Sequence, residues 1–281
     1  MKFIVNTFAF LAVLTAVLSS CDEPVVLDVE QIPPRIVIEG QVTNKPGYQY
    51  VKITRTSPFY QSGPTPRIVN AEVSVSDDTG EEFTFVHNPR NHPDSMGIYL
   101  PEQAFTGVIG RTYSLRVTVD GELYEASDEM YAVTPIDSMT FRINEDQEED
   151  PEEPGKIYEL LVYAKEPQNE KNYYLFKYYR NDEIIFFNET DIYYSNDDLL
   201  AENIDGIPSP VFYGMNDKAK LEVYSLSRRG YVYYNDLWSV LNNDSGGMFG
   251  PIPAPPRSNI SNDALGFFQV SAINEKEITI E

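Results

Sequence analysis

The chain of 281 residues contains a single cysteine, Cys21, and only two histidines. One cysteine excludes a disulfide within the chain, so the fold has to be stabilised by burial of a hydrophobic core. Basic residues are also scarce, because 21 lysines and arginines face 44 acidic residues and give a net charge of −23. Nucleic-acid binding needs a basic surface. We therefore expect no nucleic-acid partner.

Long hydrophobic runs are missing except at the N-terminus. Residues 3–17 are mostly apolar and follow Lys2. This run is shorter than the roughly 20 residues of a membrane span. Because no other stretch of 18 or more apolar residues exists, we predict no transmembrane helix after it. A basic residue, an apolar run and then small residues are typical of a secretory signal peptide. Residues 1–20 are therefore predicted to be removed by cleavage between Ser20 and Cys21.

Cys21 stands where the lipidated cysteine of a bacterial lipoprotein stands. The stretch Leu18-Ser19-Ser20-Cys21 resembles a lipobox, which implies that acyl chains on Cys21 hold the protein at a membrane. Two or three acyl chains anchor a protein stably, whereas one is marginal. The alternatives are an ordinary signal peptide or a cysteine of the core. Residues 21–34 are predicted to form the lipidated tether.

Asp22 and Glu23 follow the cysteine directly. An acidic pair in this place is in general only part of a solvated tether. In lipoproteins of Bacteroidota, such a pair resembles an export signal to the outer face of the outer membrane. In enterobacteria, an aspartate there resembles a signal for retention at the inner membrane. We favour the first interpretation, and therefore expect display at the cell surface.

Residues 35–135 show the alternation of apolar and polar residues that half-buried antiparallel strands require. The clearest example is the run of Tyr113, Leu115, Val117 and Val119, which the hairpin signal Asp120-Gly121 follows. Several short strands at regular intervals predict an immunoglobulin-like or transthyretin-like β-sandwich.

Residues 136–281 are predicted to form a second β-rich domain with one helix. Strand-like runs cover 157–164, 173–179 and 184–187, with Asn181-Asp182 as a tight turn. The helix is predicted near 231–242, where Tyr234, Leu237, Trp238 and Leu241 recur at helical spacing. On that stripe, Trp238 is expected to pack in the core.

Two loops and one polar segment stand out. Residues 145–153 hold seven acids in nine positions, which predicts a solvated loop; a calcium site is the alternative, although no known cation-loop spacing matches. Phe59 and Tyr60 lie in a proline-rich loop at 57–67, and either bind a partner or pack beneath their own loop. The segment 191–216 is either a functional surface or ordered by packing.

Motifs of known catalytic sites are missing. The chain has no Gly-x-Ser-x-Gly elbow, no phosphate-binding loop and no dinucleotide fingerprint. His87 and His92 either share a metal with Asp94 or are simply exposed in their loop. We therefore expect a protein without cofactor or metal that is not an enzyme. A carboxylate pair acting as a surface hydrolase remains the catalytic alternative.

The order of several segments resembles a family of Bacteroidota lipoproteins, the domain-of-unknown-function family 4249. The matching segments are the lipobox at Cys21, Pro34–Asn44, Val51–Thr56, Val73–Gly80, Gly110–Leu115, Pro135–Ser138, the late helix and the proline-rich stretch near Pro255–Asn259. The resemblance implies a cell-surface lipoprotein encoded near TonB-dependent outer-membrane receptors. It implies no catalytic residues.

Three functions follow from these observations. The first is a non-catalytic binding or accessory lipoprotein of the outer membrane that works with a TonB-dependent nutrient importer. The second is a structural or adhesive surface module, and the third is the carboxylate-dependent hydrolase. We favour the first, with Phe59 and Tyr60 as predicted partner-binding residues.

Overall fold

Short β-strands are the main regular structure of the protein, which a computed structural model describes for residues 33–57, 63–198, 200–242 and 254–281. The elements are β1 Ile36–Thr43, β2 Tyr50–Arg55, β3 Glu72–Asp77, β4 Glu82–His87, β5 Ile98–Pro101, β6 Thr112–Val119, β7 Glu122–Glu129, β8 Ile136–Ile143, β9 Tyr158–Lys165, β10 Tyr173–Arg180, β11 Glu183–Ile185, β12 Tyr193–Asn196, β13 Asn203–Pro208, β14 Lys218–Ser225, α1 Arg228–Leu241, β15 Leu265–Ser271 and β16 Ile273–Thr279. The predicted mainly β fold with one helix is confirmed. Within the four described ranges, no helix has the length and apolar character that a membrane span needs.

Eight strands form one sheet in the order β15-β1-β2-β5-β4-β3-β6-β7. All neighbours are antiparallel except β1 and β15, which are parallel. The two end strands approach each other closely enough for a hydrogen bond: the Val270 N–H of β15 donates to the Asp128 carboxylate of β7 at 3.3 Å. This sheet, the curled sheet, encloses its own core, in which Ile38, Val75 and Leu115 are almost completely buried. The alternating apolar residues of the sequence are the ones that face inward.

The strand beside β1 comes from the far end of the sequence. Pairing of β1 with β15 runs from Val37 opposite Leu265 to Thr43 opposite Ser271. After Ala272 the chain continues as β16, which belongs to another sheet. By their contacts, residues 34–281 form one unit. The predicted domain boundary between residues 135 and 136 stays a prediction. Strand β15 comes from the predicted second domain but lies in the curled sheet.

The remaining strands form two smaller sheets that share a second core. One sheet has the order β11-β10-β14-β16 with β12 also beside β10, and the other has the order β13-β9-β8. Leu160 of β9, Tyr178 of β10 and Leu221 of β14 belong to one buried cluster between them. We call these strands and their core the second body. The predicted polar segment 191–216 therefore contributes two strands, β12 and β13, and is partly ordered by packing.

A buried carboxylate joins the second body to the loop that follows β1. Glu222 of β14 is completely buried, and it accepts hydrogen bonds from the hydroxyls of Tyr48 (2.8 Å), Tyr179 (2.9 Å) and Tyr224 (2.8 Å) and from Lys220 (3.1 Å). Burial alone raises the pKa of Glu222, but these bonds outweigh it and lower the pKa below its ordinary value. The group stays charged at neutral pH and holds the junction together. Part of the high tyrosine content is therefore structural.

Helix α1 is present where the sequence predicts it, but it begins three residues earlier than predicted. The Ser227 side chain accepts the Gly230 N–H at 3.1 Å and so caps the first turn. Tyr231 and Tyr234 pack against a third apolar cluster. The prediction that Trp238 packs in the core is wrong, because 43% of this residue is exposed. It lies one turn beyond Tyr234, past the helical residues that contact that cluster.

The contact between β7 and β15 predicts a pH dependence of stability. Asp128 is 2% exposed, and burial raises its pKa from 3.8 to about 6, against opposing hydrogen bonds from Ser227 and Val270 and the charge of Arg229. Between about pH 4 and pH 6, the Asp128 carboxyl is therefore protonated in the folded state and ionised in the unfolded state. We expect the free energy of unfolding to rise by about 1 to 1.5 kcal/mol as pH falls from 7.5 to 5.

Urea denaturation at a series of pH values tests this expectation. The variant Asp128→Asn has no titrating group at this position, so its stability should change less over the same range. Other carboxyls with lowered pKa values, such as Asp150 and Asp217, act in the opposite direction but only at more acidic pH. An identical pH slope in the wild type and the variant would contradict the assignment to Asp128.

Candidate binding site at the distal end

Several connections meet at the end of the second body that faces away from the curled sheet. Strand β16 begins at Ile273 beside β15, and its last residue, Thr279, pairs with Lys218 at the start of β14. Strand β10 ends nearby at Arg180. The connections at this distal end are the loop 144–157 between β8 and β9, which we call the acidic loop, the turn 181–182 and the turn 214–217. The backbone of Tyr158, directly after the acidic loop, bonds to that of Tyr213 in both directions.

A tight turn fixes the end of β10. Asn181 and Asp182 have φ angles of +53° and +70°, as a two-residue type I′ hairpin turn requires. The predicted turn is thus confirmed. It leaves Arg180 as the last residue of β10, on the same side of the strand as the buried Tyr174 and Tyr178. An arginine is therefore held at an inward-facing position.

Arg180 ties down the acidic loop. Its Nη1 donates to the Asp150 carboxylate (2.9 Å) and to the Phe212 carbonyl (2.9 Å), and its Nη2 donates to Glu153. Burial raises the pKa of Asp150, but the bond from Arg180 and two backbone N–H bonds outweigh it, so the pKa lies below its ordinary value. The prediction of a solvated loop holds for most of residues 145–153 and is wrong for Asp150, whose side chain is 11% exposed.

A second ion pair closes the neighbouring turn. The Asp217 carboxylate accepts hydrogen bonds from Lys156 (2.8 Å), the Gly214 N–H (2.7 Å) and the Asn181 side chain (2.9 Å). Burial raises the pKa of Asp217, and these bonds together lower it further than burial raises it. Both Asp217 and Asp150 are therefore ionised at neutral pH. Lys156, like Arg180, is already neutralised by the protein itself.

A cavity of about 370 Å³ lies between the acidic loop and β11. We call it the acidic cavity. Its lining holds two cations, Lys156 and Arg180, and five carboxylates, Asp150, Glu152, Glu153, Glu183 and Glu189. Because both cations are paired, negative charge is left over in the lining. Within the part of the chain that the structure describes, no cation lies within ion-pair distance of Glu152, Glu183 or Glu189.

Apolar side chains form one wall of this cavity. Ile184 of β11 and Phe186, the first residue after β11, both line the cavity. They are 44% and 43% exposed, respectively, and we call them the apolar ridge. Phe187 also lines the cavity and packs edge-on against Phe212, with ring centroids 6.0 Å apart. The cavity therefore combines ionised carboxylates with an exposed apolar surface.

A second cavity of about 400 Å³ shares Phe187 with the first. It is lined by the first part of the acidic loop and by residues 208–212. There Glu159, almost completely buried, accepts hydrogen bonds from Arg142 (2.6 Å) and Asn144 (2.7 Å). The acidic loop thus lines both cavities, and the predicted segment 191–216 contributes Phe212 to the second one.

The profile of the family described as "Domain of unknown function (DUF4249)" matches residues 22–277. The chain belongs to the DUF4249 family. This confirms the family part of the resemblance. The match begins directly after Cys21 and includes both cavities, so the acidic cavity lies within the family domain. A search of curated proteins gives no match to this DUF4249 chain.

Most residues that the sequence singled out lie elsewhere. Ser20, Cys21, Asp22 and Glu23, and also Phe59 and Tyr60, lie outside the described residues. Their predicted roles in cleavage, lipidation, export and partner binding stay predictions. The described base of the 57–67 loop is held by the hydrogen bond from the Arg55 N–H to the Pro66 carbonyl at 3.0 Å.

The two histidines of the DUF4249 chain have different surroundings. His87 Nε2 accepts the Gly97 N–H at 3.0 Å, which uses the lone pair that a metal would need. His92 is exposed, with its Nδ1 3.5 Å from Asp94. Among the residues that the structure describes, no three His, Cys, Asp or Glu side chains are arranged to hold a metal ion.

Sequence reasoning missed Arg180 as the centre of the site. A signal for it exists in the strand Tyr173–Arg180, whose alternation places Arg180 in phase with Tyr174 and Tyr178. A buried arginine needs acidic partners. The seven acids at 145–153 are the obvious source, since they form the densest acidic run of the chain.

Proposed function

We propose that this DUF4249 chain is a lipid-anchored, surface-exposed outer-membrane protein of a bacterium of the Bacteroidota. It acts as a non-catalytic binding or accessory component of a TonB-dependent nutrient importer. The lipobox at Cys21 and the acidic pair Asp22 and Glu23 support the anchor and the surface location. Among the described residues, the acidic cavity offers binding groups rather than a nucleophile paired with a base.

The observation that carries this proposal is the position of the cavity relative to Ile36, the first residue of β1. The chain enters β1 at Ile36, and the other end of β1 adjoins the second body, since Asn44 accepts the Ile273 N–H at 2.8 Å. The cavity lies at the distal end of the second body, where β16 ends at Thr279. From Leu265 to Thr279 the chain spans up to about 46 Å at 3.3 Å per residue. Ile36 and the cavity therefore lie toward opposite ends of this path of strands.

Isolation of the protein from native membranes tests the proposal. The full chain carries an affinity tag on a flexible linker after Glu281, and mild detergent keeps its complexes intact. We expect a TonB-dependent outer-membrane receptor to be recovered in near-stoichiometric amount, and Cys21→Ser to abolish both membrane attachment and recovery. Protease treatment of intact cells should digest the wild-type protein. Recovery of the protein alone, together with protection from protease, would overturn the proposal.

If the protein is digested on intact cells but recovered alone, the import role fails while the surface location stands. Attachment assays with a deletion strain then address the adhesive alternative. A defect in attachment with normal nutrient uptake would favour it. This experiment separates the location from the role.

A further inference from the structure

The apolar ridge is exposed at a place where the fold does not require it. Strand β11 has only three residues, and among the described strands it pairs with β10 alone. Its Ile185 packs against the second core, whereas Ile184 is exposed. The ring of the following Phe186 stacks on Tyr193 with centroids 6.3 Å apart and still leaves 43% of the residue exposed. Of the large apolar residues that the structure shows exposed, Ile143 and Met215 also lie at the distal end. Grouped exposed apolar residues with a polar rim are typical of protein interaction sites.

The polar rim of the ridge is negative. Glu183 and Glu189 flank the ridge in the sequence and line the same cavity, together with Glu152. The described cations of the cavity are bound to Asp150, Glu153 and Asp217. They therefore do not neutralise the three glutamates of the rim. Like charges that line one cavity repel each other. A partner that brings positive charge relieves this repulsion, and one that brings apolar side chains covers the ridge.

The size of the cavity favours a short segment. At about 370 Å³ it lies at the lower end of the range for ligand pockets, roughly 300 to 1,000 Å³. One or two side chains of a partner fill such a volume. The mixed lining suits lysine or arginine, whose apolar stem packs against Phe186 while the charged head reaches the carboxylates. Cation–π contact with the exposed ring adds to this.

We propose that the apolar ridge and the acidic cavity form the docking surface for a basic peptide segment of a partner protein. Apolar side chains of the segment pack on Ile184 and Phe186, and its lysines or arginines pair with Glu183 and Glu189. This inference rests on the proposed function, because it assigns a contact chemistry to the partner. The complementary charges set specificity and association rate, while the ridge contributes the buried area.

A synthetic probe tests the docking surface directly. The full chain in detergent is titrated with a fluorescent peptide of sequence Lys-Phe-Gly-Lys-Phe-Gly-Lys, and binding is followed by fluorescence anisotropy. We expect saturable binding that weakens with added salt. The combined variant Glu183→Gln, Phe186→Ser and Glu189→Gln should weaken binding at least about tenfold, which corresponds to about 1.4 kcal/mol. All three residues are at the surface, and a matching thermal transition shows that the variant is folded.

Two controls make the result specific. Glu72→Gln with Glu82→Gln removes two charges near another cavity, on the curled sheet, and should leave the affinity unchanged. A peptide with glutamate in place of lysine should not bind. Equal affinity of the wild type and the triple variant, or an equal loss in the control variant, would overturn the docking surface.

The native-membrane experiment separates this inference from the proposed function. If the receptor is recovered equally with the wild type and the triple variant, the docking surface fails and the accessory role stands. If the probe binds at the ridge but no receptor is recovered, the docking surface stands and the import role fails. Loss of the receptor from the triple variant alone supports both.

Discussion

Replacing Arg180 with alanine is expected to lower the free energy of unfolding by about 3 to 5 kcal/mol, the usual cost of removing one partner of a buried ion pair. The Arg180 side chain is 9% exposed and that of Asp150 is 11% exposed. Without the arginine, Asp150 and Glu153 repel each other at the edge of the second core, and the Phe212 carbonyl loses its donor. Urea denaturation of both proteins at pH 7.5 measures the difference.

The control for this variant is an exposed ion pair of the curled sheet. Arg116 and Glu125 lie 3.0 Å apart with side chains 59% and 53% exposed. Because water screens such a pair, Arg116→Ala should cost less than about 1 kcal/mol. Arg180→Lys keeps the charge but not the forked donor geometry, so its cost should fall between the two. A loss below 1 kcal/mol for Arg180→Ala would contradict the role of Arg180 as the anchor of the acidic loop.

The strands were predictable from the sequence because their signals are local. The alternation of Tyr113, Leu115 and Val117 places each of them inside the curled sheet. The dipeptide Asp120-Gly121 takes φ angles of +53° and +86°, as a type I′ turn requires. Such features depend on neighbours within a few residues. The Ser227 cap of α1 is equally local, although the start of this helix was predicted three residues too late.

The pairing of distant segments was not predictable in this way. Asn44 and Ile273 are hydrogen-bonded at a separation of 229 positions. No periodicity within either strand specifies a partner that far away, and β15 on its own is an ordinary apolar strand. The prediction for Trp238 is wrong for a related reason. Helical spacing identifies an apolar stripe on the helix, but not where the apolar cluster that the stripe packs against ends. For the candidate site, the acidic run was visible in the sequence, but its contact with Arg180 depends on the same long-range assembly.

Gly266→Ala is expected to cost about 4 kcal/mol, because a steric clash adds to the backbone strain of about 1 to 3 kcal/mol. Gly266 has a φ angle of +92°, which side-chain-bearing residues rarely adopt, and it pairs with Ile38 in the parallel contact of β1 and β15. A Cβ at this position would lie 2.1 Å from the Ile38 carbonyl oxygen. Since that oxygen belongs to the backbone of a central strand, β15 has to move away from β1. Denaturation in urea measures the loss.

Gly121→Ala separates the two causes of that loss. Gly121 has a similar φ angle of +86°, but no atom of the described residues lies within 4 Å of the position of its added Cβ. It should therefore cost only the conformational penalty of a left-handed residue, about 1 to 2 kcal/mol. The difference between the two variants measures the close approach of β15 to β1. Equal costs would mean that β15 can shift without loss, and that the curled sheet does not depend on this contact.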